Sequence, residues 1–322
     1  MRTVYGIGPR SRQAAALLRD KVLTVGVFDG VHRGHRYILG RVVAEARARG
    51  LKSAVVTFSF HPSHLVRRHE KTPHLMSLRH KLHYLAEAGV DICYVLDFNR
   101  SLAGMSPKDF LARVLIGRMG MVSLYVGEDF VFGRGARGSV NDLRRFCRSM
   151  DFSLHVIRPR RISGEVVSST SIRSQIRRGD LAGAQRFLGR PVALLGRVIR
   201  GEGRGRLLGF PTANILAEHE VLVPDGIYAA WALCAGRVHP AAVYLGTKPT
   251  FYAGDKRHIE AFLIGARRNV YGKMMEVRFV CRVRPDRRFP DARRLISQIR
   301  TDIQKVRSIL SSRSRPRMFA SF

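Results

Sequence analysis

Acid is scarce in this chain: 24 Asp and Glu stand against 57 Lys and Arg in 322 residues, a formal net charge of +33. Such an excess attracts nucleic acid, anionic membrane or phosphorylated small molecules, and alone it selects none of them. The basic residues are spread as pairs along the whole chain (Arg67-Arg68, Arg160-Arg161, Arg177-Arg178, Arg267-Arg268, Arg287-Arg288). They form no single aromatic-interleaved block, which fits a largely solvated surface. Long apolar runs are also missing, and no stretch approaches the roughly 20 uncharged residues of a membrane-spanning helix. A soluble protein is therefore expected. Cysteine is limited to Cys93, Cys147, Cys234 and Cys281, too far apart for a zinc site and too few for a disulfide scaffold. Free thiols in a reducing cytoplasm are the expectation. The first residues carry no acid before Asp20, a weak likeness to a transit peptide; Val4, Tyr5 and Ile7 read instead as a short leading strand.

What is present falls into two textures with no internal repeat. From Lys21 to about Leu188, short apolar runs alternate with helical periodicities, as in an α/β domain with a largely parallel sheet. Strands are expected at 22–28, 53–58, 92–98, 123–126 and 154–157, and helices at 35–49, 78–88, 107–119 and 139–150. The third helix opens on Ser106 as N-cap with Pro107 behind it. After Gly189, β-rich runs at 193–200, 226–233, 241–245, 258–264 and 275–283 are separated by Gly and Pro, predicting a small antiparallel β-barrel. Leu295, Ile299, Ile303, Val306 and Leu310 then form one stripe of an amphipathic helix over 291–310, packed on the barrel. The expected domains are 1–188 and 189–322.

Two regions carry chemistry. In the first, Val25-Gly26-Val27-Phe28-Asp29-Gly30-Val31-His32-Arg33-Gly34-His35 ends a predicted strand and opens a predicted helix. Glycines let backbone approach a phosphate chain, and a helix start offers free amides and the positive dipole end. Histidines spaced as His32 and His35 can donate to charge growing on phosphate oxygens; a tight turn with two polar histidines gives the same pattern. Further on, Val126-Gly127-Glu128-Asp129-Phe130-Val131-Phe132-Gly133 marks the end of a later strand, where open parallel sheets bind ligands. Phe130 and Phe132 either line a flat ligand or pack the core. Ser168-Ser169-Thr170-Ser171-Ile172-Arg173 supplies hydroxyls at a helix start and an Arg one turn in, suited to a triphosphate or to a plain N-cap.

These three motifs, in this order and spacing, resemble the adenylyltransferase module of the bacterial bifunctional riboflavin kinase/FMN adenylyltransferase (FAD synthetase) family. The resemblance implies a Rossmann-like nucleotidyltransferase fold that binds ATP through Gly26, Phe28, Asp29, Gly30, His32, Gly34, His35, Ser169, Thr170 and Arg173. FMN would lie near Asp129, Phe130 and Phe132. One departure stands out. The family usually carries Thr-Phe-Asp/Glu-Pro-His-Pro, whereas Thr57-Phe58-Ser59-Phe60-His61-Pro62 lacks the acid and the first proline. If that acid handles magnesium or shapes the flavin loop, FAD formation would be impaired.

In the second region Gly196, Gly201, Gly203 and Gly205-Arg206 lead into Leu208-Gly209-Phe210-Pro211-Thr212-Ala213-Asn214. A glycine-rich loop can fold over ATP phosphates; Thr212 and Asn214, two apart on an extended strand, point the same way and could share Mg²⁺. The Gly-Phe-Pro-Thr-Ala-Asn string is similar to the riboflavin kinase signature, and Gly246 to Thr250, Ile259 to Phe262, Val270 to Gly272 and Arg284 to Phe289 recur in that family's order. The resemblance implies ATP contacts from Gly201, Gly205, Arg206, Pro211 and Thr212, and a flavin contact from Arg284. It also implies that Glu260 is the base on the ribityl 5′-hydroxyl as it attacks the γ-phosphorus; an exposed strand face is the other reading of Glu260. At Gly265 and Arg267-Arg268 this chain departs from the loop residues the family often has.

ATP, riboflavin and FMN are thus the expected partners, with Mg²⁺ accompanying ATP and FMN and FAD as products. No membrane and no specific nucleic acid are expected, weak nonspecific polyanion binding is allowed, and a monomer is compatible with the sequence. Two rivals remain open at this level: a riboflavin kinase whose other half has decayed, and a nucleic-acid-binding protein.

Overall fold

The computed structural model describes residues 1–7, 20–60, 72–201, 203–220, 223–246, 257–266, 269–316 and 318. His61-Pro62, Thr247 to Thr250 and Arg267-Arg268 therefore lie outside the described residues. By contacts the chain divides into two compact units, Met1–His74 with Leu78–Ser168, and Leu75–Ser77 with Ser169–Phe322.

The first unit runs β1 (Arg2–Tyr5), β2 (Lys21–Val25), α1 (Arg33–Ala48), β3 (Lys52–Phe58), α2 (Leu78–Glu87), β4 (Ile92–Leu96), α3 (Arg100–Gly104), α4 (Pro107–Asp109), β5 (Met121–Gly127), α5 (Val140–Ser149), β6 (Ser153–Ile157) and a small hairpin, β7 (Arg161–Ile162) with β8 (Glu165–Val166). The six main strands lie in the order β1-β4-β3-β2-β5-β6, every neighbour pair parallel. Helices cover such a sheet on both faces, so its central strands are apolar throughout, and β2, β3 and β4 are buried along nearly their whole length. α1 turns Leu39, Val42, Val43 and Ala46 inward, and a Ser139/Asp142 capping box starts α5.

Two expectations need correction here. The strand expected to reach Phe28 stops at Val25, because Phe28 takes a φ of 50° and turns the chain away. The single helix expected over 107–119 is one turn, α4, followed by a π-helical stretch, Phe110–Ile116. There Gly117 N–H reaches Ala112 C=O and Met119 N–H reaches Val114 C=O, each five residues back. The wider turn puts Phe110, Leu111, Val114 and Leu115 all into the core. α3 and the β7/β8 hairpin had no counterpart in the sequence pattern.

The second unit contains α6 (Ser169–Arg177), α7 (Leu181–Leu188), β9 (Ala193–Ile199), α8 (Arg204–Leu207), β10 (Ala213–Ala217), β11 (Gly226–Cys234), β12 (Arg237–Gly246), β13 (His258–Leu263), β14 (Met274–Pro285) and α9 (Ala292–Ser311). Its strands close into a barrel in the order β10-β13-β12-β11-β14-β9, with antiparallel pairing throughout. β13 alternates strictly: Ile259, Ala261 and Leu263 are buried, while His258, Glu260 and Phe262 are half-buried on the other face. α9, capped by the Asp291 carboxylate accepting from Arg294 N–H at 2.8 Å, lies against that outer wall through Ile303, Val306 and Leu310.

Candidate active sites

In the first unit β2 has β3 on one side and β5 on the other. The chain winds outward through β3 and β4 on the first side and through β5 and β6 on the second. That reversal opens a crevice at the carboxyl ends of β2 and β5, where doubly wound sheets bind ligands. The Gly26–His35 motif leaves β2 there and the Gly127–Gly133 motif leaves β5.

The loop after β2 is held in a demanding conformation. Phe28 (φ 50°), Gly30 (φ 82°) and Val31 (φ 33°) all lie in the left-handed region, which costs about 1–3 kcal/mol for each non-glycine residue. Burial enforces it: Phe28 is 3% exposed and Val31 0%. The chain then enters α1 with His32 as N-cap, its Nδ1 accepting the His35 backbone N–H at 3.2 Å. In the neutral ring the proton is therefore on Nε2. The His32 and His35 rings stack 3.6 Å apart, and Phe28 tilts against His35 at 5.0 Å. Gly34 permits the stack, since a Cβ there would sit 3.1 Å from the His32 ring.

Behind the loop lies a set of polar residues not anticipated from the sequence. The Thr57 hydroxyl donates to Val27 C=O at 2.9 Å, and the buried Lys81 ammonium donates to Phe58 C=O at 3.1 Å. Burial holds Lys81 below the usual lysine range, opposed by the charge of Asp29, which is itself buried. Asp29 thus faces the interior. After β5, Phe132 is in the core while Phe130 stacks on it, half-buried, at 5.5 Å; Asp129 is exposed. Ser169 and Thr170 begin α6 in the second unit, with Arg173 buried one turn on.

In that unit Glu260 is paired across the barrel wall with Asn214 on β10 and with Tyr244 on β12. The register places three polar groups in one row, on the face where β13 is half-buried. The Thr212 hydroxyl donates to a Glu260 carboxylate oxygen at 2.9 Å. Two glycines make room: a Cβ on Gly201 would overlap the Asn214 amide, and one on Gly205 would lie 2.5 Å from Phe210 C=O and 3.1 Å from the Thr212 hydroxyl. Arg206 and Pro211 are exposed beside them.

The row borders a cavity of about 360 Å³ between the wall and α9, with Phe210, Phe262, Phe289, Leu295 and Ile299 among its apolar lining. Leu295 and Ile299 of the helical stripe thus wall the cavity, and the later members pack the core. Arg284 lines the cavity too, but its guanidinium is held by Asp302, with Nε and Nη2 both 2.9 Å from one carboxylate oxygen. Gln298 donates to the other Asp302 oxygen at 2.7 Å. Burial, then Asp286, pushes the Tyr244 hydroxyl up to about 12, so it stays protonated and donates to Asp286 at 3.3 Å. Asp302 was missed by the sequence reading although a signal existed: an acid adjoining the apolar stripe.

A glycine-bearing loop at the switch point of a parallel sheet, and an acid–hydroxyl–amide row beside an aromatic cavity on a barrel, fit a two-module enzyme of phosphorus chemistry. Known proteins say which one. The FAD synthetase family model matches residues 14–171 and the riboflavin kinase model residues 188–310. Bifunctional riboflavin kinase/FMN adenylyltransferases match at 35% identity from Escherichia coli (strain K12), covering 87% of this chain and 90% of that protein, and at 33% from Bacillus subtilis (strain 168), covering 88% and 91%. A crystal structure of a Streptococcus pneumoniae protein described as a macrolide-efflux protein superposes with a TM-score of 0.83 at 26% identity, over 95% of this chain and 99% of that one. Among the described residues no helix is long and apolar enough to cross a membrane. The chain belongs to the bifunctional riboflavin kinase/FMN adenylyltransferase family: it phosphorylates riboflavin to FMN and adenylylates FMN to FAD.

Proposed function

We propose that residues 1–188 carry FMN adenylylation and residues 189–322 riboflavin phosphorylation, each in its own pocket. In the first, the Gly26–Gly34 backbone, His32 and His35 receive the ATP phosphates. FMN lies by Asp129 and Phe130, with Phe132 supporting the ring from below. His32 and His35 neutralise charge on the phosphate undergoing displacement, with no covalent intermediate.

In the second, Gly201, Gly205, Arg206, Pro211 and Thr212 take ATP. The Thr212 hydroxyl and the Asn214 amide oxygen are hard oxygen donors, which suits magnesium, and that ion would offset phosphate charge. The isoalloxazine occupies the aromatic cavity with Arg284 at its wall. Glu260 takes the proton of the ribityl 5′-hydroxyl as that oxygen attacks the γ-phosphorus. The 2.9 Å contact between Thr212 and Glu260 carries this reading, because it fixes a carboxylate beside the proposed metal and nucleotide groups at the cavity's edge. Glu260→Ala tests it: chromatography of the flavins formed from riboflavin and ATP should find FMN formation reduced about 10²–10⁴-fold, while FAD from supplied FMN persists.

The enzyme would act as a monomer in the cytoplasm. Its basic surface would bind polyanions weakly and without sequence preference, so any nucleic-acid binding should vanish steeply with salt.

A further inference from the structure

Ser59 stands where the family motif carries an acid, and its hydroxyl donates to the Asp97 carboxylate at 2.6 Å. The two residues are neighbours by register. Phe58 of β3 pairs with Leu96 of β4, and Ser59 N–H extends the ladder to Leu96 C=O at 3.1 Å. Ser59 and Asp97 are therefore the first residues beyond the carboxyl ends of adjacent parallel strands. β3 also borders β2, at the usual spacing of about 4.8 Å between strands. Thr57, which shares a strand face with Ser59, is bonded to Val27 in the phosphate loop. Asp97 is exposed and, among the described residues, no basic side chain pairs with it, although the chain holds 57 Lys and Arg.

We propose that Asp97 is the acidic group of the adenylylation site, supplied from β4 in place of an acid at position 59 and oriented by the Ser59 hydroxyl. It serves the magnesium ion carried by the triphosphate. A carboxylate beside a phosphate chain repels it unless a cation lies between, and Mg²⁺ is typically held by one or two carboxylates together with phosphate oxygens and water. The proposal rests on the reading of the first unit as the FMN adenylylation module.

The test uses the full-length chain and three variants: Asp97→Asn, Ser59→Asp and the double Ser59→Asp/Asp97→Asn. FAD formation from FMN is followed across a magnesium titration, and ATP binding is measured by calorimetry with and without Mg²⁺. FMN formation from riboflavin in the same preparations controls for folding. Asp97→Asn should slow FAD formation about 10–100-fold, the loss usual when a metal's carboxylate partner is removed. It should also raise the half-saturating magnesium and leave magnesium-free ATP binding and FMN formation unchanged. The double variant should recover most of the loss. Wild-type magnesium dependence in Asp97→Asn, or a double variant no better than Asp97→Asn, overturns the assignment. A wild-type chain that formed no FAD would instead defeat the reading of the module itself.

Discussion

The loop after β2 and the wall of the barrel hold their polar groups by different means. In the loop the geometry is written in the backbone: left-handed residues at 28, 30 and 31, buried side chains enforcing them, and two histidine rings stacked at the start of α1. In the barrel, ordinary strands do the work, and cross-strand register sets Asn214, Glu260 and Tyr244 side by side. A loop of the first kind can wrap a phosphate chain closely, since amides and glycines meet it. A row of the second kind suits a base that must keep a fixed direction toward one hydroxyl.

The sharpest way to break the comparison is to remove the chemistry from one side at a time. Glu260→Ala should cost riboflavin phosphorylation about 10²–10⁴-fold, the range for a lost general base, with FMN adenylylation retained. His32→Ala with His35→Ala should cost FAD formation about 10²–10³-fold, as for lost transition-state donors, with FMN formation retained. Chromatographic assay of both flavins in each variant reads the result. Loss of both activities in a folded variant would refute the division of labour.

A finer test compares the glycines. An alanine Cβ at 205 meets the Phe210 carbonyl at 2.5 Å, whereas one at 34 meets a movable imidazole at 3.1 Å. Gly205→Ala should therefore reduce kinase turnover by about a hundredfold, roughly 2.7 kcal/mol of barrier, and Gly34→Ala should reduce FAD formation by only about tenfold. Steady-state rates from both variants check the order, and a larger loss from Gly34→Ala would contradict it. The smallest effect is expected behind the cavity. Asp302→Asn keeps the shape but loosens Arg284, so the riboflavin KM should rise several-fold with kcat little changed and FAD formation from FMN untouched, measured by titrating riboflavin. A fall in kcat with constant KM would argue against Arg284 as a flavin contact.

Much of the architecture could be read from pattern. Alternating apolar runs and helical periods marked the parallel sheet, and the stripe from Leu295 to Leu310 marked α9, because burial imposes those periods directly on the chain. The β7/β8 hairpin left no such trace, as strands of two exposed or half-exposed residues bury too little to need a pattern. The π-helical turn was hidden for the opposite reason: its residues are as apolar as an α-helix requires, and only packing shows which turn brings Phe110, Leu111, Val114 and Leu115 inward together. Among the proposed site residues, the motifs carried His32, His35, Thr212, Asn214 and Glu260, whose chemistry lies in short strings. Lys81, Asp97 and Asp302 come from distant segments and look like ordinary surface charges in the sequence.

Sequence alone thus determined the two textures, the ordered motifs and the chemistry those motifs can perform, since local composition and periodicity encode them. The tertiary structure decided which charges are held in the interior, that Arg284 is anchored by Asp302, and that a carboxylate from β4 meets the hydroxyl at position 59. Those outcomes depend on strand order and register, which join residues tens of positions apart and which no local string can specify.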